Sequence, residues 1–180
     1  GGLWYTNNNA TTLTPVFDKE ACMTIGDIAV NWSTGTIWVG TGENNSSRSS
    51  YSGVGIYKST DKGKTWKHMG LTESHHIGRI LLHPVNPNII HVACLGALYS
   101  KNDNRGVFST SDGTWKQLTV QGSGFPTGIG VGRIGLEIVR SRNETILYAV
   151  IDNQYERPAK PKEGDLITKI QEVGFSYDGI

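Results

Sequence analysis

The sequence predicts an all-β fold made of four-stranded antiparallel blades, the repeating unit of a β-propeller. Short apolar runs alternate with turn-like stretches, and Gly alone contributes 23 of the 180 residues. A strand-like phrase, Ile/Val-Gly-Asp/Arg-Ile, begins at residues 25, 77 and 131, so it recurs after 52 and 54 residues. Self-similarity at such a period indicates a repeat architecture of blades. A tight-turn motif in the first repeat is the third observation.

That turn runs from Ser59 to Trp66, between a short β run and its return strand. The hydroxyl of Ser59 can tie the entry of the turn, and Asp61 can accept hydrogen bonds from backbone N–H groups within it. Gly63 can adopt a positive φ that a Cβ would penalise. Trp66 supplies a large apolar plate that anchors the hairpin to the layer beneath.

These residues resemble the Asp-box (BNR repeat), S/T-x-D-x-G-x-x-W, of β-propeller blades in sialidases and sortilin-type receptors. In those families the motif lies at the blade periphery, so the resemblance implies a structural role for Asp61 rather than a catalytic one. A damaged copy contains Asp112, Gly113 and Trp115 and is two residues shorter. Either this turn has lost two residues, or two pieces of chain are joined there.

The units follow in order along the chain. Residues 1–18 resemble the outer half of a preceding blade, and four-strand units are expected at 25–66, 77–115 and 131–155. Residues 156–174 are charged and break the repeat pattern, which indicates an insertion. This stretch is also the second place where two pieces of chain could be joined. Residues 175–180 resemble the start of a further blade hairpin. Three units cannot close a ring, so we expect a partial segment of a larger propeller, with no helix of three or more turns in 25–151.

Composition narrows the function classes. The net charge is +1 with both signs interspersed, so no basic stripe predicts a nucleic-acid partner. No run approaches the about 18 apolar residues of a membrane span, so no transmembrane segment is predicted in this stretch. Cys22 and Cys94 are interpreted as small buried residues rather than a disulfide. N-x-S/T sequons give weak support to a secreted origin; they begin at Asn9, Asn31, Asn44, Asn45 and Asn143.

Three further phrases, at residues 38–44, 74–79 and 83–87, read WVGTGEN, SHHIGR and HPVNP. Together they resemble large bacterial propeller proteins with a sortilin-type region, which are often labelled glycosyl hydrolases because of their Asp-box repeats. The resemblance implies a secreted, periplasmic or cell-surface protein. It does not imply hydrolysis, because the repeat behind the label is structural. Plant-type photosystem assembly factors share such boxes and act as scaffolds.

Asp27, Arg79 and Arg133 occupy one position in the three units, on the strand expected to line the propeller channel. One hypothesis is an anion site for a carboxylate, a sulfate or a peptide C-terminus, since Arg binds such groups bidentately. The favoured alternative is a blade-to-blade ion-pair network that includes Asp27. The next residue in each strand is an isoleucine that should face a blade interface: Ile28, Ile80 and Ile134.

Polar residues also follow the second strands. Glu43 and Asp152 could form the carboxylate pair of a glycoside hydrolase, and Asn44 is a further binding candidate. The favoured alternative is that these residues cap turns. His75 and His76 could bind a ligand or transfer protons, but their spacing does not predict a metal site.

No cofactor is predicted. The favoured function is a scaffold that binds a protein or peptide, because no complete catalytic set can be assigned. The alternative is a propeller that binds or hydrolyses glycans, in which aromatic rings could stack on sugars, although most of the tryptophans are expected to pack within the blades. The aromatic candidates are Trp4, Tyr5, Trp32, Trp38 and Tyr51.

Overall fold

The computed structural model describes residues 1–45 and 50–153 and the backbone of 175–176, and it is all-β. Thirteen strands form four sheets in these residues. The two-stranded sheet contains β1 (Trp4–Tyr5) and β2 (Thr14–Pro15). The next contains β3 (Ile25–Asn31), β4 (Thr36–Thr41), β5 (Ile56–Ser59) and β6 (Lys67–His68). Another contains β7 (Ile77–Leu82), β8 (Ile90–Cys94), β9 (Gly106–Thr110) and β10 (Lys116–Gln117). The last contains β11 (Val131–Ser141), β12 (Glu144–Asn153) and β13 (Phe175–Ser176).

Within each sheet, strands that follow one another in sequence are antiparallel neighbours. This confirms the predicted four-stranded antiparallel blades for β3–β6 and β7–β10, which we call blades 1 and 2; the β11–β13 sheet is blade 3. The helical segment of the described residues is one 3₁₀ turn, Thr72–Ser74, as expected for this fold. No helix in that part of the chain is long and apolar enough to cross a membrane. The predicted insertion at 156–174 lies outside the described residues, and Phe175–Ser176 pairs with β12 of blade 3.

The glycine in each repeated phrase permits a close approach at an irregular strand start. The register shifts between Ile25 and Asp27 in β3, and the same irregularity opens β7 and β11. A Cβ on Gly26 would lie 2.0 Å from the carbonyl oxygen of Ile77 in the next blade. A Cβ on Gly132 would lie 2.4 Å from a carboxylate oxygen of Asp152. Any side chain here would push the strands apart.

The core consists of clusters between successive sheets. Trp38 and Ile56 of blade 1 pack against Ile77, Ile80 and Val92 of blade 2. A second cluster joins blades 2 and 3, and a third lies between the N-terminal hairpin and blade 1. Full burial of one such side chain contributes about 1.5–3 kcal/mol, so each sheet depends on its neighbour for stability.

One of the three predicted interface isoleucines is not covered. Ile80 and Ile134 are 3% and 4% exposed, whereas Ile28 is 41% exposed. The first two pack against residues of the preceding four-stranded sheet. The sheet that precedes β3 in the described chain is the two-stranded β1–β2 hairpin, which packs near Phe17 instead. The prediction for Ile28 was therefore wrong, because a two-stranded hairpin does not extend over that part of β3.

The 59–66 turn is held by its own side chains. The hydroxyl of Ser59 donates to Asp61 Oδ1 at 2.8 Å and accepts from the N–H of Gly63 at 2.8 Å. Asp61 Oδ1 also accepts from the N–H groups of Lys64 and Thr65, at 3.0 and 2.9 Å. Gly63 has φ of 84°, a conformation that favours glycine. The side chains of Ser59 and Asp61 thus satisfy three backbone N–H groups of the turn.

The shorter turn closes its hairpin with fewer residues. Thr110 Oγ1 accepts from the N–H of Gly113 at 2.8 Å, and Asp112 Oδ1 accepts from the N–H of Thr114 at 2.8 Å. The strands on either side pair directly, with Lys116 opposite Ser109. The chain therefore forms a hairpin through this turn although two residues fewer separate its Asp from its Trp.

Both turn tryptophans fasten one sheet to the sheet before it. Trp66 Nε1 donates to the carbonyl of Val16 at 2.6 Å, and Trp115 Nε1 donates to the carbonyl of Met69 at 2.5 Å. Val16 follows β2, and Met69 follows β6. The same contact thus recurs from one repeat to the next, between an indole and the last strand of the preceding sheet.

We expect Trp115→Phe to lower the free energy of unfolding by about 1–3 kcal/mol, because the Met69 carbonyl loses its donor while most of the ring remains. Urea denaturation of the purified chain would measure this change. Trp32→Phe is the matched control, since Trp32 is 88% exposed and should shift stability by less than about 0.5 kcal/mol. Equal effects of the two substitutions would contradict a role for the indole contact.

A second prediction concerns pH. The Thr65 hydroxyl and N–H, together with the Ser59 hydroxyl, lower the pKa of Asp61 from 3.8 to about 2. A folded-state pKa below the unfolded one stabilises the fold above the unfolded pKa, and this stability is lost as pH falls through the folded pKa. Asp61→Ala should therefore lower the melting temperature at pH 7, and the gap to the wild type should narrow between pH 4 and pH 2. A gap that stays constant in thermal melts would refute this assignment.

Candidate functional site

Three of the predicted site residues line one open cleft of about 460 Å³: Asn44, Arg133 and Asp152. Asn44 lies just beyond the end of β4, and Asp152 lies near the end of β12. Leu95, directly after β8, also lines the cleft. The second strands of all three blades therefore end at this cleft, which we call the central cleft.

Asn44 spans two blades. Its side-chain Nδ2 donates to the carbonyl of Gly26 at 3.2 Å and to that of Gly78 at 3.4 Å. Both carbonyls belong to the irregular starts of β3 and β7, where the glycines allow the amide to come close. These two bonds position Asn44 at the cleft, and an amide oxygen such as its Oδ1 can accept hydrogen bonds.

A buried arginine that sequence reasoning missed is bonded to Leu95, one of the residues that line the cleft. Arg105 donates to the carbonyls of Leu95 and Ala97, at 2.7 and 2.6 Å, and to that of Val131 at the start of β11. It thereby ties the loop after β8 to blade 3. Burial lowers the pKa of Arg105 from its usual value, and the nearby charge of Asp152 acts in the opposite direction. The only sequence signal was a lone Arg before a strand, which is typical of a solvated loop.

The three equivalent charged residues make three different contacts. Asp27 Oδ2 accepts from the backbone N–H of Ile80 in blade 2 at 2.6 Å. Arg79 Nη2 pairs with Glu137 Oε2 in blade 3 at 3.3 Å. Arg133 is exposed and lines the central cleft. Blade-to-blade contacts are present, but the ion pair joins Arg79 to Glu137 and not to Asp27. Sequence reasoning did not select Glu137. Arg133, Gly135 and Glu137 are alternate residues of β11, so Arg133 and Glu137 lie on the same face of that strand.

The remaining candidates lie elsewhere. Glu43 accepts from the side chain of Asn45 at 3.0 Å and is not among the residues that line the central cleft. His75 has φ of 54°, and its carbonyl accepts from the N–H of Gly53 at 2.6 Å. His76 is buried, with Nδ1 2.9 Å from the carbonyl of Gly96, so Nδ1 carries the proton because a carbonyl only accepts. Both histidines thus join loops, and among the described residues no group of three His, Cys, Asp or Glu could hold a metal ion.

The aromatic candidates divide by exposure. Trp38 is buried beneath Lys58, whose Nζ lies 4.9 Å from the ring centre, so it belongs to the core. Tyr51 is exposed on the loop after β4, where its carbonyl accepts from the N–H of Glu43 at 2.9 Å. Tyr99, which sequence reasoning did not select, is exposed on the corresponding loop after β8. Trp4, Tyr5 and Trp32 are exposed on the N-terminal hairpin and the β3–β4 turn.

Comparisons with known proteins agree with this fold. No protein-family model and no curated protein matches the chain. Solved structures do match: an ancestral GH74 enzyme (TM-score 0.59, 19% identity, 82% of this chain) and the GH74 enzyme of Niastella koreensis (0.54, 21%, 85%). The GH74 xyloglucanase of Xanthomonas campestris also matches (0.51, 13%, 85%).

At these identities the likeness shows the fold: the chain consists of blades similar to those of GH74 enzymes. It spans about 20–25% of the length of these solved chains, which are therefore much longer.

Two contacts between blades, made by Asp27 and Arg79 at equivalent strand positions, should contribute differently to the free energy of unfolding. Asp27→Ala should lower the free energy of unfolding by about 1.5–3 kcal/mol, because a backbone N–H loses a charged acceptor. Arg79→Gln should cost less than about 1 kcal/mol, because both partners of that ion pair are solvent-exposed. Urea denaturation would compare the two variants, with Glu137→Gln as a second probe of the ion pair. A larger loss for Arg79→Gln would contradict this ranking.

Proposed function

We propose that this chain is part of an extracytoplasmic β-propeller that binds a glycan across the central cleft. The observation that carries the proposal is the convergence of Asn44 from blade 1 with Arg133 and Asp152 from blade 3 on that cleft. Its volume of about 460 Å³ lies within the usual range of ligand sites, about 300–1,000 Å³.

The lining chemistry suits sugar hydroxyl groups. Arg133 offers N–H donors, while Asp152 and the Oδ1 of Asn44 offer acceptors. Tyr51 and Tyr99 lie exposed on the two loops that leave the cleft, where their rings can stack against the apolar faces of sugars. Donors and acceptors at the cleft, with exposed aromatic rings on the adjoining loops, favour a glycan over a peptide.

The solved structures with similar blades support the same class of ligand, since they are GH74 enzymes and one is described as a xyloglucanase. Xyloglucan oligosaccharides are therefore the first probe. A location outside the cytoplasm is part of the same proposal, because glycan polymers of this kind lie there. The Asp-box resemblance is compatible with it, but no described contact specifically favours the protein-binding scaffold.

We propose binding rather than hydrolysis as the role of this segment. Glycoside hydrolysis typically uses two carboxyl groups about 5–10 Å apart. Among the described residues, Asp152 is the carboxylate that lines the central cleft, and Glu43 is hydrogen-bonded to Asn45 instead. A hydrolytic site would need a second carboxylate from elsewhere, with Asp152 as the candidate acid or base.

Calorimetric titration with xyloglucan oligosaccharides should show binding that weakens about tenfold in Asp152→Asn and in Arg133→Gln, since each loses a charged hydrogen bond. Arg140→Gln is the matched control, because Arg140 is exposed on β11 but does not line the cleft.

The outcome of these titrations distinguishes a glycan-binding propeller from a peptide-binding scaffold and from a glycoside hydrolase. Binding of a peptide library without binding of any glycan would favour the scaffold. Release of reducing sugar that disappears in Asp152→Asn would extend the proposal to hydrolysis. Equal losses in Arg140→Gln and Arg133→Gln would show that net charge, and not the cleft, determines affinity.

A further inference from the structure

A second and larger cleft lies at the outer edge of blade 1 and shares no residue with the central cleft. Its volume is about 610 Å³. The N-terminal hairpin and the segment after it form one side, and the 59–66 turn forms the other. Its lining residues are Tyr5, Pro15, Val16, Asp18, Lys19, Glu20, Lys62, Gly63, Lys64 and Trp66. We call it the outer cleft.

One of the two aromatic rings at this cleft, that of Trp66, is held by contacts within the protein. Trp66 is held by its bond to the Val16 carbonyl and by an edge-to-face contact with Phe17, whose ring centre is 5.0 Å away. Tyr5 lies on β1, opposite Thr14, and half of its surface is exposed. Rigid rings bind at a small conformational cost, because few torsions must be ordered.

The two turns of the chain differ in what they add to the fold. In both turns an Asp carboxylate accepts hydrogen bonds from backbone N–H groups, and a Trp indole donates to a backbone carbonyl beside the preceding sheet. The short turn does this with two uncharged residues, Gly113 and Thr114, between its Asp and its Trp. The long turn has four residues in the same interval, two of them lysines. The additional residues are therefore not needed to close a turn, and they place Lys62 and Lys64 at the outer cleft.

Lys62 also adopts an unfavourable backbone conformation. Its φ is 62°, a region that residues with a side chain rarely occupy. Its stem lies against the β3–β4 turn, where its Cγ is 3.0 Å from the position that a Cβ on Gly35 would take. Lys62 thus lies between the β3–β4 turn and the outer cleft.

The charged side chains that line the outer cleft do not form ion pairs with one another. Lys19, Lys62 and Lys64 face two carboxylates, Asp18 and Glu20. Among the described residues, the one ion pair closer than 4 Å joins Arg79 to Glu137, and neither residue lines the outer cleft. Three ammonium groups are thus available to an anion, and the two carboxylates can accept from hydroxyl groups.

We propose that the outer cleft binds an acidic glycan, an oligosaccharide whose sugars carry uronate carboxylates. The rings of Tyr5 and Trp66 contact the sugar faces, and the ammonium groups of Lys62, Lys64 and Lys19 pair with the carboxylates. This site is additional to the neutral-glycan site of the central cleft and does not depend on it. It would anchor the protein to an acidic polymer through the periphery of a blade.

The test uses the full chain, a tetramer of galacturonic acid, and cellotetraose as a neutral probe of equal length. Calorimetric titration at low ionic strength should show that the acidic tetramer binds and that the neutral one binds at least tenfold more weakly. Lys62→Gln combined with Lys64→Gln should weaken binding of the acidic tetramer about tenfold. The matched control is Lys101→Gln combined with Lys116→Gln, which changes the net charge equally at residues outside both clefts and should stay within twofold.

Two further measurements keep the result interpretable. Lys19 lines the same cleft but lies outside the turn. Lys19→Gln should therefore weaken binding even if substitutions within the turn disturb the folding of the turn. Higher salt should weaken the wild type, because exposed charge pairs are screened. The proposal fails if the acidic tetramer does not bind, if it binds no better than cellotetraose, or if the control pair loses as much affinity as the turn pair. Excess xyloglucan oligosaccharide should not displace the acidic tetramer, and displacement would overturn the assignment to this cleft.

Discussion

The contact between successive sheets is the interaction on which the rest of this structure depends. No sheet buries its apolar faces alone, and the largest buried side chains lie where two sheets meet, as Ile56 and Ile77 do. Hydrogen bonds fix the relative position of the sheets at both ends. At the outer end an indole bonds to the preceding sheet, and at the inner end Asp27 bonds to the backbone of Ile80. Hydrophobic burial is non-directional, so these polar contacts set the angle between neighbouring blades.

The central cleft is a consequence of this packing. Its residues are distant in sequence, and they meet because the second strands of successive blades end at the same side of the assembly. Asn44 and Arg105 both act as bridges between blades there, through backbone carbonyls. The same groups that hold the blades in place therefore also position residues that line the cleft.

The fold could be predicted from local signals, and the contacts of the charged residues could not. The strand phrases and the 59–66 turn depend on residues close in sequence, and the recurrence of these phrases along the chain predicted the blades. The aligned position of Asp27, Arg79 and Arg133 predicted blade-to-blade contacts but not the partners. Arg79 pairs with Glu137, 58 residues away, because facing strands determine which side chains meet. Ile28 was misjudged for a related reason, since burial depends on the neighbouring sheet and not on the strand itself.

By itself, the sequence determined the strand pattern and the turn chemistry of Ser59, Asp61 and Gly63. These properties follow from backbone conformation and short-range hydrogen bonds, which a few adjacent residues control. Only the tertiary structure decided that Asn44, Arg133 and Asp152 share a cleft while Glu43 lies apart from it. It also decided that Lys62 and Lys64 border a second cleft. Such groupings arise from the packing of whole sheets, whose geometry no local stretch of sequence encodes.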